Sequence, residues 1–178
     1  MPEPENLLLE KVTLRYVAVE DRMSMRAQVR DGDVRIFWLT QRMCGQLVNA
    51  FVEYLDKNTA DVASAASSDK SVVQSYYQQA AMHTRTKPPS VEASASTEPP
   101  MLIKTLKIRT SPRSVNVRLP LPDGVSATLS LRPHEARRML QILFGQYRKA
   151  GWPLDIWPRW VAEARDGGGA GDNKGPLH

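Results

Sequence analysis

Two Asp-Gly pairs, Asp31-Gly32 and Asp123-Gly124, each lie between runs in which apolar and polar residues alternate. Such a pair marks a tight hairpin turn, because glycine takes positive φ without a Cβ clash. The pairs are 92 residues apart, and their surroundings agree at that offset. Leu14 and Tyr16 meet Leu106 and Ile108. Met23, Met25, Ala27 and Val29 meet Val115, Val117, Leu119 and Leu121. Phe37 and Leu39 meet Leu129 and Leu131. Leu47, Val48, Phe51 and Leu55 meet Met139, Leu140, Leu143 and Tyr147. The pattern predicts a tandem duplication of one β-β-β-α unit, written twice without a gap.

Each unit reads in the same order. A first strand covers about 8–19 or 101–110, a second 22–30 or 114–121, and a third 34–39 or 125–131. In the second strand Met23, Met25, Ala27 and Val29 alternate with Arg22, Ser24, Arg26, Gln28 and Arg30, the period of a half-buried strand. A helix follows at 41–57 or 133–149. Thr40 suits the N-cap of the first, Pro133 the first turn of the second, and Gly151 its end. Apolar residues recur along both helices at the spacing of one buried stripe.

One three-stranded meander with a helix buries little surface alone, so the two units must share a core. The expected fold class is α+β: antiparallel sheet(s) packed against two helices, with a disordered central linker and tail. One continuous six-stranded antiparallel sheet is preferred to two packed sheets, because intact layers need fewer crossing connections. The expected map is a first unit at 1–57, a mostly disordered linker at 58–100 with a possible short helix near Val72–Tyr77, a second unit at 101–151, a Trp-rich segment at 152–165 and a disordered tail at 166–178.

Several chemistries lack their residues. Cys44 is the one cysteine, so neither a disulfide nor a cysteine-based metal cluster is expected, and it reads as a small buried hydrophobe. The three histidines, His83, His134 and His178, have no partner at ligand spacing. No nucleophile-elbow motif occurs. The glycines at 167–171 lack the strand, helix and Gly-Lys-Ser/Thr ending of a phosphate loop. The expectation is no enzyme, no catalytic residue, no cofactor and no metal. No apolar run reaches the ~20 residues of a membrane span, so no membrane partner is expected, and the chain reads as cytoplasmic.

Charge is uneven. Residues 101–150 carry ten Lys/Arg against two Asp/Glu, whereas residues 1–57 carry eight against nine. Lys107, Arg109 and Arg118 fall on the outward side of the second unit's strands. Arg137, Arg138, Arg148 and Lys149 fall opposite the apolar stripe of its helix. These seven are the candidate nucleic-acid contacts. The first unit has the reverse feature. If Phe37 and Leu39 face the helix, Val34, Ile36 and Trp38 face away, where the second unit has Ser126, Thr128 and Ser130. Such an apolar strand face calls for a cover: another segment of the chain, for which the Trp-rich segment is the obvious candidate, a second copy, or a partner. Val34, Ile36, Trp38, Trp152, Trp157 and Trp160 are therefore the candidate protein interface. The leading expectation is a non-enzymatic binding or adaptor protein acting through protein–protein contacts or self-association. The alternative is a nucleic-acid-binding protein using the basic second unit.

Overall fold

A computed structural model describes residues 3–59, 69–83, 96 and 98–164. The expected disordered tail at 166–178 and much of the central segment lie outside the described residues. The chain is α+β. Its described residues form seven strands, β1 (Asn6–Val17), β2 (Arg22–Val29), β3 (Val34–Leu39), β4 (Met101–Leu102), β5 (Lys107–Ser111), β6 (Ser114–Pro120) and β7 (Ser126–Leu131). The helices are α1 (Gln41–Asn58), α2 (Lys70–His83), α3 (Pro133–Ala150) and α4 (Arg159–Ala162).

All seven strands form one sheet in the order β4-β3-β2-β1-β7-β6-β5. The expected purely antiparallel pairing is corrected. The sheet is mixed, because β1 runs parallel to β7 and β3 runs parallel to β4. β1 is long enough to serve two neighbours. Its first residues, Asn6–Leu9, pair with β7, and after a bulge between Leu9 and Lys11 the rest pairs with β2. β4 and β5 divide the same work in the second half. β4 pairs with β3, and β5 pairs with β6. The two parallel seams coincide at the offset of 92, since Leu9 pairs with Leu129 and Met101 with Phe37.

The ungapped correspondence expected for the first strands does not hold. Arg26 pairs with Thr13, but its counterpart Arg118 pairs with Lys107, two residues beyond the expected Thr105. The chain from β4 to β5 has two extra residues, and the β5–β6 turn is correspondingly tighter, closing at Ser111 and Ser114. The faces are preserved because a strand repeats every two residues.

The order of strands has a geometric consequence. Its two ends, β4 and β5, are joined by residues 103–106 alone. That link spans at most ~17 Å from Leu102 to Lys107. A flat sheet of this width would be roughly 29 Å across. The sheet therefore curls, bringing its two edge strands within reach of that link.

The inner side of the curl and the helices share one core. Leu14, Met25 and Leu39 from the first half, Val117 and Leu129 from the second, Leu47 and Phe51 of α1 and Met139 of α3 all line one small internal hollow. α1 starts where Thr40 Oγ1 accepts from the Met43 amide at 3.3 Å. α3 starts at Pro133, where Glu135 Oε2 accepts from the Arg132 amide at 2.8 Å, and ends at Gly151 in the left-handed region at φ 67°.

In the central segment the possible short helix near Val72–Tyr77 is present and longer than expected, as α2 over Lys70–His83. Its buried residues are Gln74, Gln78 and Ala81, so it docks by a polar face. Gln74 Nε2 donates to Asp56 Oδ1 at 2.7 Å, and Gln78 Nε2 donates to the Arg137 carbonyl at 2.9 Å.

Candidate nucleic-acid interface

Strand alternation places the two classes of candidate residue. The core side is apolar in both halves: Met23, Met25, Ala27 and Val29 in β2, and Val115, Val117 and Leu119 in β6 are all buried. The outward positions follow from register. In the first half they include Lys11, Thr13, Arg15, Arg22, Ser24, Arg26, Gln28, Val34, Ile36 and Trp38. In the second half they include Lys107, Arg109, Asn116, Arg118, Ser126, Thr128 and Ser130. Seven of these are Lys or Arg. Among the described strands, no register-paired outward position holds Asp or Glu.

The cations of the second half converge. Lys107 pairs directly with Arg118 across β5–β6, Arg109 pairs with Asn116, and Arg118 pairs with Thr128 across β6–β7. Together these five residues line an outward hollow of about 240 Å³. All three cations are exposed, and none of them forms an ion pair among the described residues. Two like charges directly opposite on neighbouring strands repel and destabilise the pair. The first half avoids this, since Arg26 faces Thr13. An anion in the hollow would turn the repulsion into attraction, with the Asn116 amide as a neutral donor beside it, while the Thr128 hydroxyl donates to Asn6 Oδ1 at 2.9 Å.

The helix cations do not join this site. Arg137, expected on the exposed face of α3, is only 3% exposed and is corrected to a buried residue. The physical reason is α2 and α4, which cover that side of α3. Arg137 Nη2 donates to Gln74 Oε1 at 2.6 Å and to Thr59 Oγ1 at 3.1 Å. Its guanidinium lies over the rings of Tyr77 and Trp160 at 5.5 and 5.6 Å. Burial lowers its pKa to about 10, with Tyr77 and Asp56 opposing. Arg138 is half-buried, while Arg148 and Lys149 are exposed in the last turn of α3, where cations favour the helix dipole. These residues lie on the helix side of the sheet, away from Lys107, Arg109 and Arg118.

The tryptophans expected at a protein interface are spent inside the chain. Trp152, Trp157 and Trp160 are 7, 7 and 5% exposed. Trp152 meets Tyr16 and Tyr147 edge-on at 5.6 and 5.0 Å, and Trp157 meets Phe144 and Tyr147 at 5.3 and 5.2 Å. Trp152 Nε1 also donates to Asp21 Oδ1 at 3.2 Å, tying the segment to the β1–β2 turn. The segment thus covers α3 and not the outward face of β3, contrary to expectation. On β3 itself Val34 is buried, and its carbonyl accepts from Ser96 Oγ at 2.9 Å. Ile36 and Trp38 remain half-buried, next to Leu102 at 41% exposure.

The one thiol has no reactive setting. Cys44 is buried, and burial pushes its pKa up to about 12. Among the described residues no three His, Cys, Asp or Glu side chains are grouped to hold a metal ion, and no helix is long and apolar enough to cross a membrane. Sequence reasoning did not select Asn116, Lys11, Arg15, Arg22 or Arg26. The alternation carried the signal for all five, but only the register shows which of them share one surface. Comparison with protein-family models, with curated proteins and with solved structures found no match.

Proposed function

We propose that this chain is a non-enzymatic nucleic-acid-binding protein that holds the phosphate backbone on the outward surface of its curled sheet, centred on Lys107, Arg109 and Arg118. The observation that carries this reading is the like-charged pair Lys107/Arg118, beside Arg109, in a hollow with no carboxylate at neighbouring register positions. Mutual repulsion without internal compensation is what a phosphate would relieve. The two halves are read as copies of one β-β-β-α unit whose second copy has specialised for charge. The coincident seams and the equal 18-residue lengths of α1 and α3 support that reading.

The test is fluorescence anisotropy of labelled DNA and RNA across a salt series. The wild-type chain should bind at low salt and weaken steeply as salt rises. The variant Lys107→Gln/Arg109→Gln/Arg118→Gln should fold normally and should flatten the salt slope by roughly 0.7–0.9 per lost phosphate contact. No binding of any DNA or RNA at low salt overturns the proposal.

A second reading is an adaptor role, with a protein partner or self-association through the outward face of β3. It is favoured by the half-buried Ile36 and Trp38 beside exposed Leu102. It stands behind the first because four of the six residues it would use, Val34, Trp152, Trp157 and Trp160, are buried within the chain. A partner captured through this face should hold on at high salt, where phosphate contacts fail.

A further inference from the structure

Resting on that nucleic-acid reading, we infer that Trp38 is a base-stacking residue and that the ligand is a single strand lying across the junction of β4 and β5. Of the four tryptophans, Trp38 alone is not buried. It points outward, between Ser24 on β2 and Leu102 on β4. Its neighbour one register step along the same face, Ile36, is opposed by Arg26. The short link between β4 and β5 limits how far this apolar patch can lie from the basic hollow. Leu102 and Lys107 are joined by residues 103–106, a reach of at most ~17 Å, and Lys104 on that link is exposed. Exposed Lys104, Lys107 and Arg109 thus follow in the chain directly after Leu102, the register partner of Trp38. The first half supplies the ring and the second half the cations.

This arrangement suits a single strand better than either alternative occupant. In a duplex the bases stack on each other and cannot reach an indole, whereas an unpaired base can lie on the ring while its phosphates follow the cations. A protein partner needs about 800 Å² of contact per side. Trp38 is half-buried and offers less than the roughly 150–250 Å² of a whole aromatic side chain, and only Ile36 and Leu102 extend it before the surface turns cationic.

The experiment uses the full chain, a fluorescein-labelled short oligothymidine and a mixed-sequence duplex of equal length. The wild type should prefer the oligothymidine, and its tryptophan emission should be quenched on binding. Trp38→Phe should keep most of the affinity and lose the quenching. Trp38→Ala should weaken oligothymidine binding by about 5- to 100-fold, leave duplex binding alone and leave the salt slope unchanged, because no phosphate contact is lost. If Trp38→Ala binds oligothymidine like the wild type while the Lys107/Arg109/Arg118 variant does not, stacking is overturned and the backbone reading survives. If the wild type binds neither probe, both fall. If Trp38→Ala instead turns a dimer into a monomer with unchanged binding, the patch belongs to a second copy and the inference is overturned.

Discussion

Residues 6–58 and 101–150 differ most where they are least constrained. On the core side, counterparts keep their apolar character while changing identity: Met25 and Val117, Phe37 and Leu129, Phe51 and Leu143 are all buried. On the outward side, half-buried Ile36 and Trp38 of the first half stand where the second has Thr128 and Ser130. Packing demands an apolar side chain of suitable volume and tolerates exchange among them. Solvent demands much less. A difference between outward counterparts is therefore a better guide to function than a likeness between inward ones. Here the difference separates an apolar patch on one half from a basic hollow on the other.

The comparison breaks first if the two cores are unequal. Phe51 and Leu143 occupy corresponding places on α1 and α3, and both are fully buried. Phe51→Ala should cost about 3–5 kcal/mol and Leu143→Ala about 2–5 kcal/mol in urea unfolding. Each should give a single transition, since one sheet and one core run through both halves. Two separate transitions, or a cost below about 1 kcal/mol for either variant, would mean that the halves do not share a core.

A sharper contrast lies within α3. Arg137 is buried under α2 and α4, whereas Arg148 on the same helix is exposed. Arg137→Ala removes two hydrogen bonds from a charged donor and the ring contacts with Tyr77 and Trp160, and it leaves Gln74 Oε1 without that donor. The expected cost is about 2–3 kcal/mol. Arg148→Ala should stay within about 0.5 kcal/mol. Equal effects from the two would show that α2 is not anchored at Arg137. Hydrogen exchange of the α2 amides reads the anchoring directly, and Arg137→Ala should speed it.

These particulars show which parts of the fold the sequence could disclose. The turns at Gly32 and Gly124 were legible because their backbone, at φ 102° and 74°, is one that few residues other than glycine adopt. Both long helices and most strands were legible from periodicity, but the single strand expected at 101–110 is two, β4 and β5, so the sheet has seven strands and not six. The parallel seams were not, because pairing between Leu9 and Leu129 leaves no local mark on either segment. The two-residue shift of β5 was invisible for a sharper reason: a slip by two returns every side chain to its own face. A short helix near Val72–Tyr77 was legible, but the docking of α2 was not, because its buried side is mostly glutamine, which looks solvent-facing in a sequence. Arg137 was misplaced by the same polar packing, since a buried arginine at a polar interface resembles an exposed one until its neighbours are known. At the candidate site, Lys107, Arg109 and Arg118 were read correctly as outward-facing. Their convergence in one hollow depended on pairings that no alternation pattern specifies.

The smallest effect, and the most direct probe of how the halves diverged, is at the counterpart of Arg137. At the offset of 92 that position is Gly45, inside α1. α1 therefore carries a glycine where α3 carries its buried cation. Gly45 has no positive φ that would require glycine. A Cβ built there would meet nothing closer than Tyr147 Oη at 4.0 Å, an ordinary contact. Glycine in a helix interior costs about 0.5–1 kcal/mol relative to alanine, because its backbone loses more freedom on folding. Gly45→Ala should therefore raise stability by about 0.5–1 kcal/mol, an increase that a rise in the urea midpoint at unchanged slope would register. Nucleic-acid affinity should not change, since Gly45 lies on the helix side of the sheet. A loss of stability would show that α1 and α3 approach more closely at Tyr147 than the 4.0 Å contact implies. The glycine would then be serving the crossing of the two helices.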